Sequence, residues 1–418
     1  MAVGERVRER RARRSELTAP IVRRSPVLEI FLWSRLAIWA AAVLAFLTLE
    51  GRVHPQSARF DDPSLSHDLG AVTDVWSRWD SVWFLRIAEH GYGQASPAGA
   101  GPAFFPLYPL LVRGLGWMLG GHYVLAGILV SLAATLVAFL LFHRLAEERL
   151  GVDGARRSLL YLALFPMTFF LLAVYSEALF LALVLAAFVL AERGRWAGAW
   201  VATGLAVVTR LTGVALVPAL LVVAWRRGER SHALRSFPIV PALAALYPLA
   251  LWRLVGDPLA FAHAQRLWHR HLSPAGPFGG IWEGLRAAWA GVEQLGSGSH
   301  THRYWPGVAN MDPMRVAVVN LASFVCLVLF ASLAVVAWRR FGAAYGAFSL
   351  ASLALPLATP STQWPLQSYP RLGLVVFPVF LALGALGGRP RLHTAIVSIS
   401  ALLLGVALTQ WVLWEWVA

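Results

Sequence analysis

The sequence predicts an all-α polytopic membrane protein with about eleven transmembrane helices. Three observations carry that expectation. Hydrophobic residues make up 58% of the 418-residue chain and charged residues only 14%, with a mean hydropathy of +0.61, whereas soluble domains carry about a quarter charged residues. Apolar stretches recur along nearly the whole length, separated by groups of arginine. No strand-rich segment, internal repeat or low-complexity tract interrupts them beyond a basic N-terminal tail. The single cysteine, Cys326, lies within an apolar run, which excludes a disulfide within the chain and a thiolate metal cluster. A net charge of +14 would suggest nucleic acid in a soluble protein. Here the arginines lie in the tail and in short connectors, the positive-inside pattern, so no nucleic-acid partner is expected.

Residues 1–27 read as a basic cytoplasmic tail and 28–418 as a single polytopic domain. The apolar run 28–49 is longer than the core of a signal peptide, about 7 to 15 residues, and reads as an uncleaved anchor. That places 51–122 outside the cytoplasm as a first large loop. Five further clusters contain arginine: Arg144 to Arg157, Glu192 to Arg195, Arg226 to Arg235, Arg339 with Arg340, and Arg389 with Arg391. If all are cytoplasmic, each intervening stretch crosses out and back. The second span is then 123–143. The stretches 158–191 and 197–225 are short for two crossings and read as hairpins. Their turns, near Tyr175-Ser176-Glu177 and Arg210-Leu211-Thr212-Gly213, stop within the membrane, where non-helical backbone must face protein or a water-filled cavity. The alternative is a single crossing through 197–225, which would move Arg226 to Arg235 outside. Beyond, 237–254 goes out, a second large loop occupies 256–314, 316–337 returns and 341–358 goes out again. A short loop holds Ser361 to Arg371, 372–387 returns, and 394–414 ends outside.

The most informative segment is 74–90, DVWSRWDSVWFLRIAEH. At about 100° per residue, Trp76, Trp83, Phe84 and Ile87 share one helix face, with Asp74, Arg78, Ser81 and Glu89 opposite. Asp80 falls among the tryptophans. A carboxylate on an apolar stripe must be paired, hydrogen-bonded or used. It is read as a catalytic acid–base group on an interfacial helix flanked by Trp79 and Trp83; a structural carboxylate pairing with Arg78, Arg86 or a distant arginine is the alternative. Phe104-Phe105-Pro106-Leu107-Tyr108-Pro109 reads as an aromatic re-entry whose prolines oppose a regular helix start.

Glu177 and Arg210 are ionisable at membrane depth and are functional candidates on that ground. Helix N-capping by Glu177 and snorkelling by Arg210 are the competing readings. Arg371, following Ser368-Tyr369-Pro370, lies on the same side and could hold a phosphate. The second loop carries His263, His269, His271, His300 and His302, in the settings WHRH and HTH. Neither short pair has metal-ligand spacing on a helix face, so no metal site is expected. Phosphate contact by Arg266, Arg270 or His271, or a solvated loop, remains open. The chain lacks G-x-x-x-x-G-K-[ST], G-x-G-x-x-G after a strand, and H-E-x-x-H, so any chemistry at the outer face needs an activated substrate resident in the membrane.

Trp79-Asp80, Trp83-Phe84 and Ile87-Ala88-Glu89-His90-Gly91-Tyr92 together resemble the first-loop motif of the PIG-V family of mannosyltransferases, polytopic enzymes of the GT-C class. The likeness continues through Phe104 to Pro109, Phe165-Pro166, Tyr175 to Phe180, Thr209-Arg210 with Gly213, Gly256-Asp257-Pro258 with Gln265, and Ser368 to Arg371. It departs at Phe84, where the family often has Tyr, and at Leu211-Thr212, where Asn commonly precedes Gly. The resemblance implies an inverting transfer of mannose from polyprenyl-phosphate mannose to a hydroxyl of a glycan, glycolipid or protein at the extracytoplasmic face. It implies Asp80 as general base, no cofactor and no required metal. Trp79, Trp83, Glu177, Arg210, Tyr369, Arg371, Arg270 and His271 are the residues expected to hold donor and acceptor. The short connectors and high Ala, Leu and Arg usage look bacterial, implying a plasma-membrane location with a cytoplasmic N-terminus. A transporter or flippase of a lipid-linked glycan, or a related enzyme using another sugar, stands as the alternative.

Overall fold

The computed structural model describes residues 26–49, 68–93, 99–415 and 417. Most of the basic tail and the start of the first loop therefore lie outside the described residues. The helices are α1 (Pro26–Leu49), α2 (Ser81–His90), α3 (Leu107–Met118), α4 (Tyr123–Leu164), α5 (Glu177–Glu192), α6 (Trp196–Val207) and α7 (Leu216–Arg227). After these come α8 (Ile239–Val255), α9 (Pro277–Ser297), α10 (Pro313–Phe341), α11 (Ala343–Leu357), α12 (Tyr369–Gly373), α13 (Phe377–Leu386) and α14 (Pro390–Val412). Extended pairing among the described residues is confined to a single antiparallel bridge, Arg270 with Ser361.

Five helical stretches are long and apolar enough to cross a membrane: α1, α4, 230–255, α10 and α14. Only 17% of the apolar window of α1, of 230–255 and of α14 is buried inside the protein, so these helices present Leu, Val and Trp outward, as a bilayer requires. The expectation of about eleven spans differs from this because the central helices are short. The helices α6, α11 and α13 are apolar but have 12, 15 and 10 residues, against about 20 for a full crossing.

The short helices are central and buried. α5 and the second part of α4 are joined through 165–176, and α6 and α7 through 208–215, both non-helical apart from 3-10 turns. Helix breaks therefore lie at both places where the sequence anticipated turns. α4 continues past the expected span end at 143 and breaks at Gly151, whose φ of 71° and ψ of 178° are open to glycine and strained for other residues. The arginine clusters gather at one end of the bundle. Arg149 pairs with Glu192 at 2.5 Å, Arg227 donates to the Glu192 carbonyl at 2.6 Å, and Tyr345 donates to the Glu192 carboxylate at 2.7 Å. Glu177 begins α5 and Glu192 ends it, so the two ends of the bundle core lie about 22 Å apart.

Three local readings are corrected. The helix expected over 74–90 begins only at Ser81, and Arg78 and Ser81, expected on a polar outer face, are buried. The guanidinium of Arg78 lies 4.8 Å from the Trp414 ring centroid and 5.6 Å from that of Phe46. α3 starts within the Phe104 to Pro109 segment, because Pro106 and Pro109 occupy first-turn positions whose N–H groups have no intrahelical partner anyway. The second loop is not irregular throughout: it contains the 21-residue helix α9. Gly280, Gly284, Ala287, Ala288 and Gly291 form its buried side, and at Gly291 an added Cβ would lie 2.9 Å from the Ala317 carbonyl oxygen. Small residues of this kind read as loop by composition yet permit close backbone packing.

Candidate active site

Asp80 sits immediately before α2, not within a helix. The preceding residue, Trp79, has φ 55°, a left-handed conformation costing about 1–3 kcal/mol for a side chain of this size. One distant hydroxyl holds the kink from both sides. Tyr175 Oη donates to the Arg78 carbonyl at 3.2 Å and accepts from the Asp80 N–H at 3.0 Å. Nearby, Val174 N donates to the Trp76 carbonyl at 3.0 Å and Trp411 Nε1 to the Val75 carbonyl at 2.6 Å. The backbone on either side of the carboxylate is thus fixed by the 165–176 turn and by α14.

The carboxylate meets Arg371, whose Nη1 lies 2.9 Å from Asp80 Oδ2. Arg371 Nε lies 3.3 Å from Glu177 Oε1, and Arg210 Nη1 lies 2.6 Å from the same oxygen. Arg210 also donates to Ser176 Oγ at 3.4 Å. Four charged residues remote in sequence thus form one chain of contacts: Asp80, Arg371, Glu177, Arg210. Glu177 is 1% exposed, Arg371 13%, Arg210 16% and Asp80 20%, so the cluster is closed at Glu177 and partly open at both ends. Glu177 Oε2 is buried without a hydrogen-bond partner. The guanidinium of Arg371 lies 5.2 and 5.3 Å from the ring centroids of Phe170 and Tyr175.

Arg270 joins from the second loop. Its Nη1 donates to the Thr359 carbonyl at 3.2 Å and its Nη2 to that of Gln367 at 3.4 Å. Burial, then the positive charge of Arg371, hold its guanidinium down to about 10, with Asp80 pulling the other way; the group is charged at neutral pH. Three guanidinium groups therefore face two carboxylates. The surplus cation fits a phosphate, since charge-assisted contacts are strong in a site shielded from water.

Of the expected residues, Asp80, Glu177, Arg210, Arg371 and Arg270 are brought together. Glu177 is also the first residue of α5, next to the helix's positive end, but Ser176 is the N-cap and no side chain caps the helix, so Glu177 forms the ion pairs instead of a cap. Arg210 turns inward onto Glu177 instead of snorkelling. Four expectations fare differently. Tyr369 is buried and donates to the Leu353 carbonyl at 3.3 Å, a packing role against α11. Trp83 stacks on Phe104 with centroids 6.0 Å apart and is 7% exposed. Trp79 packs against Trp414 at 6.1 Å. His271 pairs with Glu283 at 3.5 Å, outside the charged chain. The remaining loop imidazoles are dispersed: His263 meets Asp257 and His300 meets Asp312, each at 2.7 Å. Tyr175 and Ser176 are the residues sequence reasoning passed over, although both adjoin Glu177.

Together these features define a membrane-embedded helical protein with a buried, arginine-rich acid–base cluster. Residues 56–227, a segment that contains Asp80, Glu177 and Arg210, match the family model described as Mannosyltransferase (PIG-V). It is 35% identical over 188 residues to GPI alpha-1,6-mannosyltransferase 2 of Cricetulus griseus, covering 42% of this chain and 36% of that protein. The protein of the same name from Homo sapiens is 37% identical over 132 residues, covering 28% of this chain and 25% of its own length. The chain thus matches about a third or less of these relatives' length. Among solved structures, ArnT from Cupriavidus metallidurans bound to undecaprenyl phosphate is similar over 91% of this chain and 63% of its own, with a TM-score of 0.49 and 16% identity. Arg270 and Arg371 lie beyond the family match.

Proposed function

We propose that this protein is an inverting glycosyltransferase that moves mannose from a polyprenyl-phosphate carrier to a hydroxyl acceptor at the extracytoplasmic membrane face. The family match and the names of the curated relatives support the sugar. The observation that carries the reaction is the Asp80 carboxylate, held 2.9 Å from Arg371 in a cluster where guanidinium groups outnumber carboxylates.

In this scheme the donor phosphate takes up the surplus positive charge of Arg371, Arg210 and Arg270, and in doing so competes with Asp80 for Arg371. The carboxylate is then free to accept a proton. The acceptor oxygen attacks the anomeric carbon, its proton passes to Asp80, and the bond from that carbon to the phosphate oxygen breaks with its electron pair leaving on polyprenyl phosphate. General-base assistance of this kind contributes about 10² to 10⁴ in rate. The arginines stabilise the charge that develops on the leaving oxygen, and their preorganisation avoids rearrangement during the reaction. The Tyr175 clamp on both sides of Trp79 fixes the base, and the buried Glu177 keeps Arg210 and Arg371 in register. The scheme calls for no cofactor or metal; its partners are the lipid-linked donor, the surrounding lipids, and a glycan, glycolipid or protein acceptor.

The test is transfer of labelled mannose from synthetic polyprenyl-phosphate mannose in membranes expressing wild type or Asp80→Asn. Transfer by wild type, lowered by at least about 10² in the variant, is the expected result. Equal transfer by both would remove Asp80 from the mechanism. No transfer by wild type with any acceptor tried would return the molecule to the transporter reading.

A further inference from the structure

A cavity of about 790 Å³ lies between α9 and the segment 304–307, with His269, Thr362 and Gln363 at its inner edge. We propose that it binds the sugar rings of the acceptor glycan. The proposal rests on the transferase reading only in naming the bound glycan the acceptor.

The α9 wall repeats one pattern. Trp282, Arg286, Trp289 and Glu293 all line the cavity, at spacings of four, three and four residues that put them on one helix face. They form a stripe about 16 Å long in which indoles alternate with charges. Trp282 and Trp289 are 60% and 63% exposed. A pyranose has an apolar C–H face and a rim of hydroxyls, so flat aromatic faces interleaved with a guanidinium and a carboxylate match both of its surfaces. A face made only to meet lipid would not interpose ionised groups between its tryptophans. Two of the indoles are already oriented. Trp289 Nε1 donates to Glu293 Oε1 at 3.0 Å, and Trp305 Nε1 donates to the Gln363 carbonyl at 2.9 Å.

The opposite wall is held in place by the buried Gln294 and the half-buried Arg303. Gln294 Nε2 donates to the Ser299 and His302 carbonyls at 2.6 and 2.9 Å, and its Oε1 accepts from Tyr304 N at 3.1 Å. Arg303 Nη1 donates to the carbonyls of Val308 and Met311 at 2.9 and 2.8 Å. At Gly307 an added Cβ would lie 2.6 Å from Trp305 Nε1 and 2.8 Å from the Thr362 carbonyl oxygen, so the wall depends on close backbone approach. Volume, aromatic lining and few fixed polar groups are those of a small-molecule site.

The cavity adjoins the charged cluster through one turn of chain. His269, with φ 55°, lines the cavity, while its neighbour Arg270 bridges to Ser361 and feels the charges of Arg371 and Asp80. A glycan bound along α9 is thereby placed next to the cluster assigned to the donor phosphate.

The test uses full-length protein in detergent, with mannotriose and maltotriose as probes, followed by saturation-transfer NMR and calorimetry. Wild type should bind at least one trisaccharide. Trp289→Ala should weaken binding about tenfold, with Trp289→Phe restoring most of it. In the transfer assay, the Trp282→Ala/Trp289→Ala double variant should raise the acceptor KM while leaving the donor KM unchanged. The proposal is overturned if neither sugar binds wild type, if the double variant binds as wild type does, or if brominated lipid quenches emission that this variant lacks. Loss of transfer by wild type with sugar binding intact would instead sink only the transferase reading.

Discussion

Two buried arginines illustrate opposite uses of the same side chain. Arg35, on α1, is 4% exposed and spends its donors on uncharged oxygens: Nη1 on the Thr168 carbonyl at 3.0 Å, Nη2 on the Ala163 carbonyl at 3.2 Å and on Thr168 Oγ1 at 3.0 Å. It ties α1 to the last turn of α4, where carbonyls have no intrahelical donor. Arg371 instead donates from Nη1 to Asp80 Oδ2 at 2.9 Å and holds its Nε 3.3 Å from Glu177 Oε1 as an ion pair without a hydrogen bond. A guanidinium committed to fixed carbonyls holds a fold; Arg270, which also donates to carbonyls, adds its charge to the site from a fixed position. One committed to carboxylates can transfer its donors to an incoming phosphate without leaving backbone groups unpaired.

The largest effect that would break this contrast is expected at Arg371. Arg371→Ala should lower mannose transfer by about 10² to 10³, the scale of losing one preorganised donor at a developing oxyanion. Because the substitution also strands two carboxylates, Arg371→Lys provides the control. It keeps the charge and restores the fold, but loses the planar fork that reaches Asp80 and Glu177 at once, so transfer should stay well below wild type while thermal unfolding recovers. Wild-type transfer by the lysine variant would show that only charge matters there. For Arg35→Ala the order reverses. Each carbonyl left without its donor costs about 1–3 kcal/mol, so thermal unfolding in detergent should shift downward, with the donor KM of the remaining folded protein unchanged. A raised donor KM would place Arg35 with the site and dissolve the comparison.

The sequence exposed the charged cluster more plainly than it exposed the helices that build it. Asp80, Glu177, Arg210 and Arg371 stand out because an ionisable group in an apolar context is rare and must be compensated. Turns near Tyr175 to Glu177 and Arg210 to Gly213 were expected from counting residues against a bilayer's thickness, and helix breaks lie at 165–176 and 208–215. What stayed hidden depends on contacts remote in sequence. Trp76 to Ile87 has a helical period, yet the helix starts only at Ser81, because a tyrosine 95 residues from Asp80 pins a left-handed Trp79. α9 was concealed by glycine and alanine, whose value lies in close packing that no single-segment pattern reveals. Tyr369 shares a motif with Arg371 but turns toward α11, since neighbours on a helical turn face different ways.

The smallest effect concerns an ion pair that belongs to neither arginine class and sets a lower limit for the contrast. Asp312 caps α10 by accepting from Met314 N at 2.9 Å and Arg315 N at 3.2 Å, and it meets His300 Nδ1 at 2.7 Å in an exposed position. The hydrogen bond from His300, aided by those two N–H groups, holds its carboxyl below the ordinary carboxylate range. A depressed carboxylate contributes stability above its unfolded pKa and loses it as pH falls through the folded value. Hydrogen exchange at Met314 and Arg315 should therefore accelerate only in the acid range below the ordinary carboxylate pKa, with unfolding of the whole protein barely moved. Asp312→Asn, which keeps the side-chain oxygen but cannot titrate, should flatten that pH dependence. If the variant retains the wild-type acid response, the loop's sensitivity originates elsewhere.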